Sequence, residues 1–308
     1  MSTNLAQPID FHPATADVPT ILLPDARRIF ARRAGRFMYL AENHPLADWL
    51  HYLGHLTQCQ REALDSRDDV PLPNAERIDQ ARQHGMPPLN AASLVRPVIW
   101  QTMLRRLIDC LTPSSPLAAQ ARMKALRAAP PDHLEALASA LLNGHPSPDD
   151  LADLPLVAAA LQTLWTTWAA QLDSASLAVL DAPGLCPCCG SLPVASVVRV
   201  APNTMQVNNL RYLHCSLCNT EWNVPRTVCT ACTTDKDISY QQIEGSNGAA
   251  RAECCDACNS YLKLFMQEKD ADVDPVADDL ATLALDLLVD EAGYARSGPN
   301  LLLLGGAS

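Results

Sequence analysis

The chain has 308 residues, enough for about two domains of ordinary size, and hydrophobic residues make up 48% of it. Its formal net charge is −11, so it lacks the basic excess with which proteins bind nucleic acids and anionic membranes. No run of about 18 apolar residues predicts a membrane span, and residues 1–20 lack the basic and apolar regions of a signal peptide, which makes the cytoplasm the expected compartment.

The first part of the chain is predicted to be helical. Pro24-Asp25 is typical of a helix start with Asp25 as the N-cap, and Asn43-His44-Pro45 separates this helix from a second one. Residues 66–93 are predicted to form a long polar connection. Further helices are predicted over residues 97–111, 117–128, 132–143 and 156–172.

The hydrophobic pattern changes after residue 182, where Asp181-Ala182-Pro183-Gly184 ends the helical part. After Asp274-Pro275 an amphipathic helix is predicted to end near Gly293, within a segment that holds most of the net negative charge. Between Gly184 and Asp274 lie short β-like segments, at residues 196–200, 210–214, 221–228, 239–244 and 261–265. The C-terminal helix is predicted to bury Val276, Leu280, Leu283, Ala284 and Leu287.

Eight of the twelve cysteines form four C-x-x-C pairs, each next to a β-like segment. Two such pairs direct four thiolates at one point, which makes a tetrahedral site suited to zinc or iron. In a reducing compartment, regular pairs of this kind predict metal ligands rather than disulfides. The predicted ligands of two metal ions are Cys186, Cys189, Cys215, Cys218, Cys229, Cys232, Cys255 and Cys258.

The spacing leaves open which pairs share a metal. Sequential pairing is favoured, because intervals of 25 and 22 residues hold β-like segments and resemble those of zinc ribbons or rubredoxin. Pairing the two inner pairs would leave ten residues between them, and a cross-braced arrangement also stands. The predicted fold is α+β: an all-helical domain (1–182), two small rubredoxin-like or zinc-ribbon-like β modules (183–226 and 227–270), and an acidic C-terminal helix and tail (271–308).

Four cysteines fall outside the pairs. Cys59 and Cys110 lie on apolar helix faces and are predicted to belong to the core. Cys188 and Cys254 adjoin the pairs and are interpreted as small residues in turns, the alternative being redox-active thiols beside a metal. His214, next to the second pair, is predicted to pack or form hydrogen bonds rather than bind metal. No phosphate-binding loop, nucleophile elbow or metalloprotease motif is present, so no catalytic centre is predicted.

The flanks of the cysteine pairs are more specific than the pairs themselves. The segments concerned are Leu22-Leu-Pro24, Ala31-Arg-Arg-Ala34, His44-Pro-Leu46, Gly85-Met-Pro-Pro-Leu89, Cys186-Pro-Cys-Cys-Gly190, Leu210-Arg-Tyr-Leu-His-Cys-Ser-Leu-Cys218, Cys258-Asn-Ser-Tyr-Leu-Lys263, Asp274-Pro-Val-Ala-Asp-Asp-Leu-Ala-Thr-Leu-Ala284 and Arg296-Ser-Gly-Pro-Asn300. Together they resemble the FdhE family of formate dehydrogenase accessory proteins over nearly the whole chain. Pro225, shortly after Trp222, departs from the family pattern and predicts an edge strand.

The resemblance implies a cytoplasmic, non-catalytic maturation factor that binds the catalytic subunit of a respiratory formate dehydrogenase before its export. It also implies rubredoxin-like metal sites and favours iron, with zinc as the alternative. The segment 296–300 is a candidate partner contact by resemblance, or it anchors the tail against the ribbons. Whether the chain forms a homodimer is left open.

The residues alone are compatible with two other functions. A rubredoxin-like redox carrier or sensor needs iron, because zinc has no second oxidation state to cycle through. A zinc-ribbon nucleic-acid binder ranks last, because residues 181–269 carry eight acidic against seven basic side chains.

Overall fold

The computed structural model describes residues 19–65, 70–200 and 209–303. Helices make up the first part of these ranges and strands the second, so the predicted α+β class is confirmed. The helices are α1 (Ala26–Ala41), α2 (Ala47–Asp65), α3 (Ala75–Gln83), α4 (Ile99–Leu111), α5 (Leu117–Arg127), α6 (Pro131–Leu142), α7 (Leu154–Ala169), α8 (Ala277–Ala281) and α9 (Leu283–Glu291). The strands are β1 (Ile21–Leu22), β2 (Pro193–Arg199), β3 (Leu210–Cys215), β4 (Glu221–Asn223), β5 (Ile238–Gln241), β6 (Ala250–Cys255), β7 (Ser260–Met266) and β8 (Ala295–Arg296).

The helical part packs around α7, which is buried on nearly all sides. As predicted, Asp25 caps α1: its carboxylate accepts a hydrogen bond from the backbone N–H of Arg28 at 3.2 Å. Trp165 and Trp168 of α7 meet edge to face at 5.2 Å, and their indole N–H groups donate to backbone carbonyls of the connection before α4. A helix that is apolar on nearly all of its surface is stable only where other elements surround it, as they do here.

The helical part differs from the prediction in two respects. Residues 66–93 are more than a connection: they contain α3, which begins after the N-cap Asn74, and a turn that contacts the cysteine-rich part. Cys59 lies in the core as predicted and Cys110 packs against it, but the two are joined in a disulfide between α2 and α4 that the sequence did not predict. Since the two residues are 51 positions apart, only the packing of the two helices brings them together.

The strands of the second part form one continuous sheet. Its order is β1-β4-β3-β2-β7-β6-β5, and β8 pairs with β7. β2 runs parallel to β7, with Ser196 opposite Leu264, and this pairing joins the antiparallel strands of the first ribbon to those of the second. The two ribbons are therefore halves of one sheet that packs against the helical bundle through a common core.

The strand around Trp222 is shorter than the predicted 221–228. It ends at Asn223 because Pro225 has no N–H to donate to a neighbouring strand. It is also not the edge that was predicted, since β1 pairs with it, placing Ile21 opposite Trp222. The N-terminal residues of the described chain thus belong to the sheet of the C-terminal half.

The predicted C-terminal helix is broken into α8 and α9 at Thr282. The buried ammonium of Lys263 accounts for the break, because it donates to the carbonyls of Asp279 and Thr282 at 2.8 and 3.1 Å. The break shifts the inward face of α9, so Leu285 and Val289 are buried there. Of the residues predicted to be inward, Leu283, Ala284 and Leu287 are not. No helix in the described ranges is long and apolar enough to cross a membrane.

Candidate metal centres

The first cluster consists of the thiols of Cys186, Cys189, Cys215 and Cys218. Their sulfur atoms all lie within 4.8 Å of one another, with Cys186 to Cys218 at 3.5 Å and Cys189 to Cys215 at 3.4 Å. All four residues are buried. The structure therefore groups the first two pairs, as sequential pairing predicts.

The second cluster consists of the thiols of Cys229, Cys232, Cys255 and Cys258. Its sulfur atoms again lie within 4.8 Å of one another, with Cys229 to Cys258 and Cys232 to Cys255 both at 3.7 Å. Cys229 and Cys255 are buried, but Cys232 and Cys258 are exposed. The inner-pair and cross-braced groupings are thus not found, and the two clusters differ in their access to solvent.

Both clusters fit a tetrahedral metal ion. Four sulfurs at a metal–sulfur distance of about 2.3 Å form a tetrahedron with edges of roughly 3.8 Å, and the four sulfur–sulfur separations given above, 3.4–3.7 Å, are close to it. An all-thiolate donor set suits zinc or iron. The eight cysteines could hold two ions, which would supply cross-links between distant strands and, if the metal is iron, a site for one-electron exchange.

Each of the four C-x-x-C turns is closed by a residue with a positive φ angle. In the turn at Cys215, the backbone N–H groups of Leu217 and Cys218 both point at the Cys215 sulfur, at 3.4 and 3.3 Å. This geometry stabilises a thiolate. The residues that reverse the chain after the four turns are Gly190 (φ 76°), Asn219 (φ 59°), Thr233 (φ 62°) and Asn259 (φ 51°). Gly and Asn adopt this conformation readily, whereas Thr233 is strained there.

The first cluster is buried because the helical part covers it. The carbonyls of Cys188 and Cys189 accept hydrogen bonds from the backbone N–H groups of Leu89 and Ala91, at 2.8 and 2.9 Å. From α7, the Gln162 amide donates to the carbonyl of Ser216 at 2.8 Å. These three buried carbonyls of the turns are thereby satisfied by the helical part. This contact could not be predicted from hydrophobic periodicity, because residues 86–91 form an irregular turn.

The comparison with known proteins matches the chain in three consecutive ranges. Three family models match: "FdhE, N-terminal" over residues 18–181, "FdhE, central domain" over 185–226 and "FdhE, C-terminal domain" over 227–303. A "Protein FdhE homolog" of Stutzerimonas stutzeri is 40% identical over 307 residues, which cover 99% of each chain. This chain belongs to the FdhE family.

Other members of the FdhE family agree with this assignment. A "Protein FdhE homolog" of Edwardsiella ictaluri is 39% identical over 294 residues, covering 95% of this chain and 94% of the relative. The crystal structure of the FdhE protein from Pseudomonas aeruginosa matches with a TM-score of 0.82 at 36% identity, covering 94% of this chain and 100% of that one. The family resemblance predicted from sequence is confirmed.

In this FdhE family member, His214 is a hydrogen-bonding residue, as predicted. Its Nδ1 lies 3.0 Å from Glu221 Oε1 and its Nε2 lies 3.1 Å from Asn219 Oδ1, so neither nitrogen is available to a metal. Burial alone would raise the pKa of Glu221, but the Arg199 guanidinium and the His214 imidazole outweigh it and hold the pKa at about 2. Glu221 therefore stays ionised inside the protein.

The two buried arginines of α1 connect the helical part to the C-terminal segment. Arg33 Nε donates to Asp274 Oδ1 at 2.9 Å, and its Nη2 donates to Asn219 Oδ1 at 2.8 Å. Arg36 donates to Asp278 at 2.9 Å and to Asp270 at 2.5 Å. Burial would raise the pKa of Asp274, but the charges of Arg33 and His214 lower it below its usual range. Asn219, directly after a thiol of the first cluster, ties that cluster to the same network.

The extra cysteines lie in the protein interior. Cys188 is fully buried, and its thiol is close to those of Cys186 and Cys218. Cys254 is fully buried in a small separate core with Tyr261 and α9. The interpretation as a small residue in a turn fits Cys188, but it was wrong for Cys254, which lies within β6 between Ser239 and Tyr261 of the neighbouring strands. A redox role for either stays a prediction.

The segment from Arg296 to Asn300 anchors the tail in the structure. The Arg296 guanidinium donates to Asp279 at 2.7 Å and to the carbonyl of Val194 at 3.1 Å, while Asn300 donates to Asp279 at 2.8 Å. A side chain could not replace the hydrogen of Gly298, because its Cβ would lie 1.8 Å from the Pro193 oxygen. Of the two sequence-based interpretations, anchoring is the one that these contacts support.

Proposed function

We propose that this chain is an accessory protein for the maturation of a respiratory formate dehydrogenase. It acts in the cytoplasm without catalysing a reaction of its own, by binding the catalytic subunit before export. The match to the FdhE family over the full length of the chain is the observation that carries the proposal. The chain's net charge of −11 argues against a nucleic-acid target.

The clusters are proposed to hold two resident metal ions, with iron favoured by family resemblance and zinc as the alternative. In the first cluster, the buried thiols and the bonds to Leu89 and Ala91 support a structural ion that locks the sheet to the helical part. In the second, the exposed Cys232 and Cys258 support an ion within reach of a partner.

This difference supports one second candidate function, a rubredoxin-like redox carrier or sensor that acts on the partner enzyme. An iron ion held by exposed thiolates could exchange an electron across a protein contact, whereas the first cluster is shielded on all sides. The visible spectrum of the purified protein decides this candidate. Ferric thiolate absorption that bleaches on reduction supports it, and a colourless protein with two equivalents of zinc rules it out.

Deletion of the gene tests the maturation role directly. We expect respiratory formate dehydrogenase activity to be lost while its transcript and the activities of unrelated exported enzymes stay unchanged. Capture of the catalytic subunit by the tagged full-length chain, from cells grown anaerobically, tests the contact itself. Full enzyme activity in the deletion strain would refute the proposal.

A further inference from the structure

A cleft of about 630 Å³ lies between α1, the sheet and the loop formed by residues 270–275. One wall is the solvent-exposed face of α1, where Arg28, Arg32 and Tyr39 follow one another at helical spacing. The floor includes His214 and Asn219, each adjacent in sequence to a cysteine of the first cluster. The cleft therefore reaches residues that directly adjoin the thiols of that buried cluster.

The buried charges that line the cleft are already neutralised within the protein. Two carboxylates on the floor of the cleft, and a third at the start of the loop formed by residues 270–275, each bond to an arginine. These pairs are Asp270 with Arg36, Asp274 with Arg33 and Glu221 with Arg199. They hold the cleft in shape, and they leave little net charge of their own to attract a ligand.

Arg28 and Arg32 differ from these arginines, because neither side chain has an ion-pair partner within the described ranges. They stand one helical turn apart on the same wall, where two like charges repel each other. The nearest carboxylate in sequence, that of Asp25, is engaged by the helix N-terminus. A carboxylate placed between the two guanidinium groups would relieve the repulsion and form charge-assisted hydrogen bonds with both.

The size and lining of the cleft suit a stretch of polypeptide better than a lone ion. Its volume is in the range of sites for molecules much larger than a carboxylate. Leu22, Leu23 and Val273 add apolar surface beside the charged groups. Gly35 leaves a gap between Arg32 and Tyr39, and a Cβ built there would meet nothing within 4 Å.

We propose that this cleft receives an extended segment of the partner protein, with an acidic side chain of that segment bridging Arg28 and Arg32. The inference rests on the proposed function, because the partner is the catalytic subunit that this chain is proposed to bind. It assigns the contact to the α1 side of the molecule, beside the first cluster, and it fixes the sign of the partner's charge.

Quantitative capture of the formate dehydrogenase catalytic subunit by full-length tagged variants tests the inference. We expect Arg32→Glu to recover at least about ten-fold less subunit than wild type, since a charge-assisted bond becomes a repulsion. Arg27→Glu is the matched control, because Arg27 is equally exposed on the same helix but does not line the cleft. Gly35→Phe should block capture by filling the gap, whereas Gly35→Ala should leave it intact.

The opposite wall supplies a test of charge sign. Asp272 is exposed there, and Asp272→Lys should leave capture unchanged or increase it if the occupant is acidic. Equal capture by wild type, Arg32→Glu and Gly35→Phe, each with unchanged metal content and thermal midpoint, would overturn the inference and leave the proposed function intact. Loss on Asp272→Lys with retention on Arg32→Glu would overturn it as well, by showing a basic occupant. If wild type captures no subunit, the proposed function itself fails and the inference falls with it.

Discussion

Replacing Arg33 by Met should lower the free energy of unfolding by about 3–5 kcal/mol at neutral pH, the usual cost of removing one partner from a buried ion pair. Arg33 has no exposed surface, and it bonds Asp274 at 2.9 and 3.2 Å and Asn219 at 2.8 Å. Met fills much of the same space but leaves the Asp274 carboxylate buried without its counter-charge. The loss thus comes mainly from the stranded partner.

A double-mutant cycle separates this mechanism from simple loss of packing. Asp274→Asn keeps Oδ1, which accepts the backbone N–H groups of Val276 and Ala277 at 3.0 and 2.9 Å, while it removes the charge. Arg33→Met/Asp274→Asn should therefore be less destabilised than the sum of the single variants, by at least about 1 kcal/mol. The assay is urea unfolding followed by tryptophan fluorescence, with metal content held equal.

The pH dependence gives a second check on Arg33→Met. Arg33 lowers the pKa of Asp274 against the opposing effect of burial, so its removal shifts that pKa upward in the folded state. A carboxyl with a raised folded pKa favours the folded state on protonation, and the deficit of Arg33→Met should shrink as the pH falls from 8 toward 5. A loss of under about 1 kcal/mol at neutral pH, or strict additivity in the cycle, would refute the reasoning.

Three further predictions concern the clusters and the tail. A chelator should remove metal in two phases, since Cys232 is exposed and the first cluster is buried; Cys232→Ser should abolish the fast phase and Cys215→Ser the slow one, and a single phase in wild type would contradict this. Glu221→Gln should lower the free energy of unfolding by about 3 kcal/mol at pH 7, because a folded-state pKa of about 2 instead of 4.5 stabilises the folded protein above pH 4.5. In acid unfolding, the difference in stability between wild type and variant should vanish as the pH falls through 2. Gly298→Ala should lower the thermal midpoint by a cost of about 1–3 kcal/mol, because its Cβ would collide with the Pro193 carbonyl; an unchanged midpoint would show that the tail can shift.

The features that the sequence predicted correctly are those that depend on neighbouring residues. The start of α1 follows from Asp25 and Pro24, and the grouping of the thiols follows from the length of chain between the pairs. The resemblance of the flanking segments carried the family assignment. In the first two cases the signal and the structure lie close together along the chain.

The features that the sequence did not predict depend on contacts between distant residues. Nothing near Ser196 indicates that its strand runs beside Leu264, and nothing near Cys59 indicates that Cys110 is its partner. The break at Thr282 is set by the ammonium of Lys263, from a different strand. Hydrophobic periodicity describes one segment at a time. It therefore cannot predict which strands pair, which cysteines form a disulfide, or which lysine from another element contacts a helix.

The separation of Arg33 and Asp274 by 241 positions along the chain has a consequence for synthesis on the ribosome. At about 5–20 residues per second, α1 emerges roughly 12–50 s before its counter-charge does. Until Asp274 has been synthesised, the arginines of α1 lack their acidic partners from the tail. The strand of Trp222 can pair with β1 by then, but the sheet is still incomplete. A chain truncated before residue 270 would therefore keep an open seam along α1, which distinguishes an unfinished molecule from a complete one.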